Sequence, residues 1–145
     1  MNKTLKVDTS IVIDAPPAQV WKALTSPNLI KKYLMGTDVS SDWKVGSSII
    51  YTGEYQGNKY HDQGIIKKLE PEKVFQSTYL SSMSGKEDKP ENYNLVTYTL
   101  KKEGSKTVIT LSQDNISTEK EKEHSTQNWN WVLEKLKEVV ESNME

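Results

Sequence analysis

The stretch NWNWVLEKLKEVVE (128–141) decides the fold. Trp129, Val132, Leu133, Leu136, Val139 and Val140 recur at helical spacing and form one apolar stripe on an otherwise charged segment. Upstream, Thr118 and Glu121 have the spacing of a capping box, with Ser117 as a competing cap. A helix from there to about residue 141 measures roughly 30–35 Å at 1.5 Å per residue, enough to cross a whole sheet. Its two tryptophans cannot share a face, because a step of about 100° per residue sets positions two apart on nearly opposite sides. Trp129 heads the stripe and is expected inside. Trp131 falls among Gln127, Asn128, Glu134, Lys135 and Glu138. It is expected to lie partly exposed over a neighbouring loop, the alternative being an anchor for a partner or a second copy.

A helix with one apolar stripe needs an apolar surface to lie on, and the residues before it supply strands. TLKVDTSIVI (4–13) is rich in β-branched residues. DAPPAQVWKAL (14–24) carries prolines where a helix begins and Val20 and Leu24 one turn apart. SPNLIKKYLMG (26–36) repeats the pattern, with Ser26 as cap and Gly36 beyond the end. SSIIYTGEY (47–55) alternates, and QGNKYHDQG is read as the turn leading to a strand IIKKL (65–69). EPEK (70–73) connects to VFQSTYL (74–80). NLVTYTLKK (94–102) and KTVITLSQD (106–114) flank EGS, a glycine turn suited to an antiparallel hairpin. SSMSGKEDKPEN (81–92) is polar, contains glycine and proline, and is expected to be an exposed loop. The order is one strand, two short helices, a run of antiparallel strands and one long helix, an α+β arrangement.

Composition narrows the function. At 145 residues the chain is one domain, large enough to bury a core without metal or disulfide help. The apolar fraction of 34% implies a modest core with one broad solvated face. A net charge of −1, with acids and bases mixed, steers towards neither a polyanion nor a membrane surface. All 19 basic residues are lysines. Without the arginine fork that grips phosphates and guanines, a nucleic-acid reader is disfavoured. The absence of cysteine excludes disulfides, thiolate zinc sites and thiol nucleophiles. No segment resembles a signal peptide or a membrane span, so a cytoplasmic location is expected.

Candidates for chemistry are few. His61 stands beside Asp62, with Glu54 on the preceding strand, and could suggest a base or a metal pair. Adjacent strand residues point to opposite faces, however, so His61 and Asp62 should not cooperate. His61 reads as a surface histidine beside a turn, and His124 as part of the polar opening of the last helix. STEKEKEH (117–124) reads as a solvated turn with helix-supporting charge pairs. There is no phosphate loop, serine elbow or metal spacing. No catalytic residue, metal ligand or cofactor is assigned. Of the aromatic residues, seven are tyrosine, four tryptophan and one phenylalanine, so nearly all carry a polar tip that seeks a partner when buried.

Five segments in order, APPAQVWKALTSP (15–27), WKVGSS (43–48), GIIKKLEPEKVFQSTY (64–79), VTYTLKKEGSKTVITLSQDN (96–115) and NWNWVLEKLKEVVE (128–141), resemble the SRPBCC (START-like, helix-grip) superfamily. Within it the resemblance is to the family named after the C-terminal domain of the activator of heat-shock protein 90 ATPase. It implies a curled antiparallel sheet of about six to seven strands around the long helix, with two short helices after the first strand. It also implies a cavity between sheet and helix, lined here by Tyr33, Ile49, Tyr51, Ile66, Tyr79, Tyr98, Trp129 and Leu133. The family's glycine pair is Gly46–Ser47 here, its Gly-Trp before the last helix is Asn128–Trp129, and Tyr33 and Tyr79 stand where many members carry tryptophan.

The expected function is binding of a small hydrophobic or amphipathic ligand, with tyrosine hydroxyls setting its orientation. A chaperone partner and a role in stress response are the alternative, against which the length leaves no room for the separate N-terminal domain of the eukaryotic activators. A cyclase- or hydrolase-type enzyme using the same cavity is a third reading. Neither the ligand nor the oligomeric state is legible.

Overall fold

The computed structural model describes residues 5–82 and 85–142. Seven strands, β1 (Leu5–Ile13), β2 (Asp38–Ser41), β3 (Ser48–Tyr55), β4 (Asn58–Glu70), β5 (Val74–Tyr79), β6 (Asn94–Glu103) and β7 (Lys106–Ile116), form one sheet in the order β1-β7-β6-β5-β4-β3-β2. All ladders are antiparallel. Helices α1 (Pro17–Thr25) and α2 (Pro27–Tyr33) follow β1, a 3₁₀ turn covers Pro90–Asn92, and α3 (Glu119–Glu141) ends the fold. This is the helix-grip architecture, a curled sheet around a long C-terminal helix. No helix among the described residues is long and apolar enough to cross a membrane.

The cap of α3 is as the sequence indicates: the Thr118 side chain accepts a hydrogen bond of 3.1 Å from the Glu121 backbone N–H. Val132, Leu133, Leu136 and Val140 are buried, with Trp129 and Val139 packed part-buried beside them. The helix lies across β1, an edge strand of the sheet, and also touches β7, α1 and α2. Polar side chains lock it there. Lys137 Nζ donates to the Val12 carbonyl at 3.1 Å and to Glu141 at 2.6 Å, and Glu141 accepts the Asp14 backbone N–H at 2.7 Å. The Lys137 ammonium first, and the Asp14 N–H second, hold the Glu141 carboxyl below the ordinary value. Thr9 bonds Asn130 further along. A sheet edge that would otherwise template association is thereby covered.

The sheet departs from the expected elements at two places. The turn expected over residues 56–64 is only Gln56–Gly57, both in the left-handed region (φ 51° and 82°), the two-residue geometry that matches strand twist. Residues 58–64 therefore belong to β4, which runs for 13 residues. The polar character of NKYHDQG concealed a strand whose Asp62 and Gly64 point inwards. The second departure is β2, four residues pairing with β3, too short to show a period. Thr4 of the expected first strand, and residues 83–84 of the expected loop, lie outside the described residues.

At Gly64 the strand passes β5 so closely that an added Cβ would lie 1.7 Å from the Thr78 carbonyl oxygen and 2.6 Å from its carbon. The obstruction is backbone and cannot swing aside. At Gly53 the obstruction is the end of the Tyr60 side chain. Gly64→Ala should cost about 3 kcal/mol or more in chemical denaturation, and Gly53→Ala distinctly less. Equal costs at the two sites would show that the β4–β5 approach is not a constraint.

Candidate functional site

Strand register assembles the site. On the helix-facing side of the sheet, Ile49 pairs with Gly64, Tyr51 with Asp62, Ile66 with Ser77, Phe75 with Tyr98, and Tyr98 with Leu111. All eight residues expected to line a cavity join one continuous cluster. Five are core members: Tyr33 of α2, Ile49, Ile66, Tyr98 and Leu133 of α3. Tyr51, Tyr79 and Trp129 are partly buried and packed against them. Side chains thus occupy much of the space between sheet and helix.

The aromatic rings meet in sequence across the wall. Tyr51 meets Tyr79 edge to face at 5.7 Å. Phe75 stacks on Tyr98 at 6.0 Å, and Tyr98 meets Trp129 edge to face at 6.2 Å. Three of the polar tips, those of Tyr33, Tyr79 and Trp129, have hydrogen-bond partners. Tyr33 donates to the Ala23 carbonyl at 3.2 Å, and the Trp129 indole N–H to Gln113 Oε1 at 2.5 Å.

Tyr79 donates to Asp62 Oδ2 at 2.6 Å. The other Asp62 oxygen accepts the Ser82 backbone N–H at 2.9 Å and the Ser82 hydroxyl at 3.2 Å. Asp62 is only 8% exposed. Sequence reasoning set this residue aside as the neighbour of His61. The two do diverge: His61 is exposed, its backbone N–H donating to Ser82 Oγ at 3.0 Å. The signal for Asp62 was its phase. It lies two and four residues from Gly64 and Ile66, so a strand through 58–70 turns all three to one face. Glu54 and His124 are exposed, away from this wall.

Burial raises four phenols. For Tyr33 burial is the main cause, with Tyr98 and Tyr51 adding to it. Tyr51 is pushed up from 10.0 to about 12 by burial, against the opposing hydrogen bond from Ser77 and with a smaller push from Asp62. Tyr79 rises further, first through burial and then through its bond to Asp62. Tyr98 rises through burial and then Tyr51. Geometry ties two of these phenols to Asp62: Tyr79 through its hydrogen bond and Tyr51 as the residue opposite on β3.

Two open grooves lie on the other face of the sheet. One, of about 480 Å³, is lined by residues including Ile50, Ile65, Lys67, Thr78, Asp88 and Tyr93. The other, of about 360 Å³, includes Leu95, Asp114 and Asn115. Neither contains any of the eight expected residues.

The sequence model of the Activator of Hsp90 ATPase homolog 1-like protein family matches residues 14–141. The chain belongs to this family. Its fold is that of the SRPBCC superfamily. The solution structure of ChR145 from Cytophaga hutchinsonii is 44% identical, covering 98% of this chain and 97% of that one at a TM-score of 0.86. The Aha1 dimer from Colwellia psychrerythraea is 22% identical, with 94% and 96% covered and a TM-score of 0.74. CalU16 from Micromonospora echinospora is 21% identical, with 95% and 83% covered and a TM-score of 0.70. The last two establish likeness of fold alone. No curated protein matches the chain.

The raised phenols make a pH prediction. A group whose folded pKa lies above its unfolded value contributes stability that is complete below the unfolded value and lost as pH climbs through the folded one. Below pH 10 the contribution of Tyr33, Tyr51, Tyr79 and Tyr98 should be intact; that of Tyr51 should fall as pH rises through about 12, and those of the other three as pH climbs through their own raised values. Phenolate absorbance should show these four ionising in one steep step that coincides with loss of near-ultraviolet circular dichroism. Gradual ionisation in a folded protein would contradict the buried wall.

Proposed function

We propose that the domain binds a small amphipathic molecule in the grip, between the inner faces of β3–β6 and α3. The observation that carries this reading is a carboxyl group and four phenols gathered on an inner wall that is otherwise aliphatic and aromatic. A wall serving only as core would be more cheaply built from apolar residues, since each buried polar tip demands its own partner. Tyr51 and Tyr79 on the strand side and Trp129 on the helix side are the expected lining residues that remain part-exposed. Entry is proposed there, with these rings shifting to admit the ligand's apolar body and Tyr33, Ile49, Ile66, Tyr98 and Leu133 forming the floor. Apolar burial would drive binding at roughly 25 cal/mol per Å², before ordering and desolvation costs. Membership of the SRPBCC superfamily supports a ligand-binding fold.

Native mass spectrometry against lipids, aromatics and polyketide-like compounds should yield a ligand. NMR shift changes should then centre on Tyr51, Tyr79, Tyr98 and Trp129, and Trp129→Ala should weaken binding about tenfold. Shift changes confined to Ile50, Ile65 and Tyr93 would move the site to the outer groove and refute the grip.

A second reading, docking to a heat-shock protein 90 chaperone, draws on Trp131. This ring is 43% exposed on the solvent side of α3, with Lys135 Nζ 5.4 Å above it. If Trp131 is a docking anchor, a pull-down should retain the chaperone with the native chain and lose at least about tenfold with Trp131→Ala. No capture by the native chain at tens of micromolar (roughly 7 kcal/mol or weaker) would remove the reading.

A further inference from the structure

We infer that Asp62 makes the grip selective for ligands whose polar head donates hydrogen bonds, amines and alcohols, and makes it reject carboxylates. The inference rests on the proposed binding in the grip and adds the chemistry of the head group.

Three observations carry it. First, Asp62 is buried without a cation. The ion pairs found among the described residues, Lys31–Asp38, Lys89–Glu87, Lys135–Glu138 and Lys137–Glu141, do not include it. Every basic residue is a lysine, and no described lysine is buried. An incoming carboxylate would therefore meet a like charge with no buried cation to offset it, in surroundings where charge interactions are weakly screened.

Second, two of the wall's four phenol protons are already committed. Tyr79 gives its proton to Asp62 itself, and Tyr33 gives its proton to the Ala23 carbonyl. What those phenols offer a ligand is oxygen lone pairs, which suit a donor. Third, Asp62 has accepting capacity left. A carboxylate has about four lone-pair sites. Here Oδ2 takes the Tyr79 hydroxyl and Oδ1 takes the Ser82 N–H and hydroxyl. In register, Asp62 stands directly opposite Tyr51, whose phenol feels its charge, so the remaining capacity lies beside the proposed entrance. An ammonium or hydroxyl head placed there completes the carboxylate. A carboxylate head leaves it opposed.

The test compares decylamine, decanol and decanoate, which share one tail, by NMR titration of the full chain. The native protein should bind the amine and the alcohol at least about tenfold more tightly than decanoate. Asp62→Asn removes the charge and keeps one acceptor oxygen, which can serve the Ser82 N–H and hydroxyl while its NH2 faces the Tyr79 oxygen. It should bring decanoate within about threefold of decanol and weaken the amine about tenfold. Tyr79→Phe releases an Asp62 oxygen and should widen the amine-to-decanoate ratio by about threefold or more. Circular dichroism establishes that each variant is folded. If Asp62→Asn does not fold, the Tyr79→Phe ratio decides. Decanoate binding as tightly as the amine, or ratios unchanged in the folded variants, would overturn the inference while binding in the grip stood. Failure of all three to bind the native chain would bring down both.

Discussion

Burial of one helical stripe against one curled sheet is the constraint on which the rest depends. Leu133 and Leu136 are at most 1% exposed, and Val132 and Val140 close the same face. Burying side chains of this size stabilises by about 1.5–3 kcal/mol each. No other long helix is present among the described residues to cover the inner face. The sheet must curl to meet a helix along its length, and the helix must reach the edge strand β1. There Lys137, Glu141 and Asn130 bind backbone and side chains of β1 and the residue following it. Packing and edge protection are thus provided by a single element.

The position of that helix explains the character of the site. Because α3 lies over β1 and touches β7, the inner faces of β3, β4, β5 and β6 are filled mainly by their own side chains together with α1 and α2. Large rings suit that span, and Phe75, Tyr98, Tyr51 and Tyr79 occupy it. Tyrosine brings hydroxyls into a desolvated layer, and each must then be partnered. Asp62 meets that need for Tyr79 and at the same time ties down Ser82 at the start of the loop after β5. The carboxyl is therefore part of the wall's polar network and of its chain path together.

Legibility followed the strength of the periodic signal. The stripe of α3 was readable, and the structure chose Thr118 over Ser117 as its cap. The facing pattern of the β6–β7 hairpin was readable too, Tyr98 opposite Leu111 and Leu100 opposite Ile109 as alternation requires, although the strands run on to Glu103 and Ile116, past their expected ends. The first half of β4 was not, because its inward positions are Asp62 and Gly64, neither of which reads as core. Gly64 is glycine for lack of room beside Thr78, and Asp62 is polar because Tyr79 and Ser82 need an acceptor. Both reasons concern a neighbouring strand, which no local pattern contains.

What the sequence alone determined is the types of the strongly periodic elements, the family resemblance and the inward and outward sides of α3, since these follow from spacing along one chain segment. It also set the limits of chemistry: no thiol, no arginine, few histidines. Only the tertiary structure decided which side chains share a space. Tyr33, Tyr51, Tyr79 and Tyr98 come from four elements, and their phenols are raised by a burial that exists only when those elements close together. Asp62 became a buried group for the same reason. Desolvation and hydrogen-bond partnership are properties of assembled surfaces, and they arise from contacts between residues far apart in the chain.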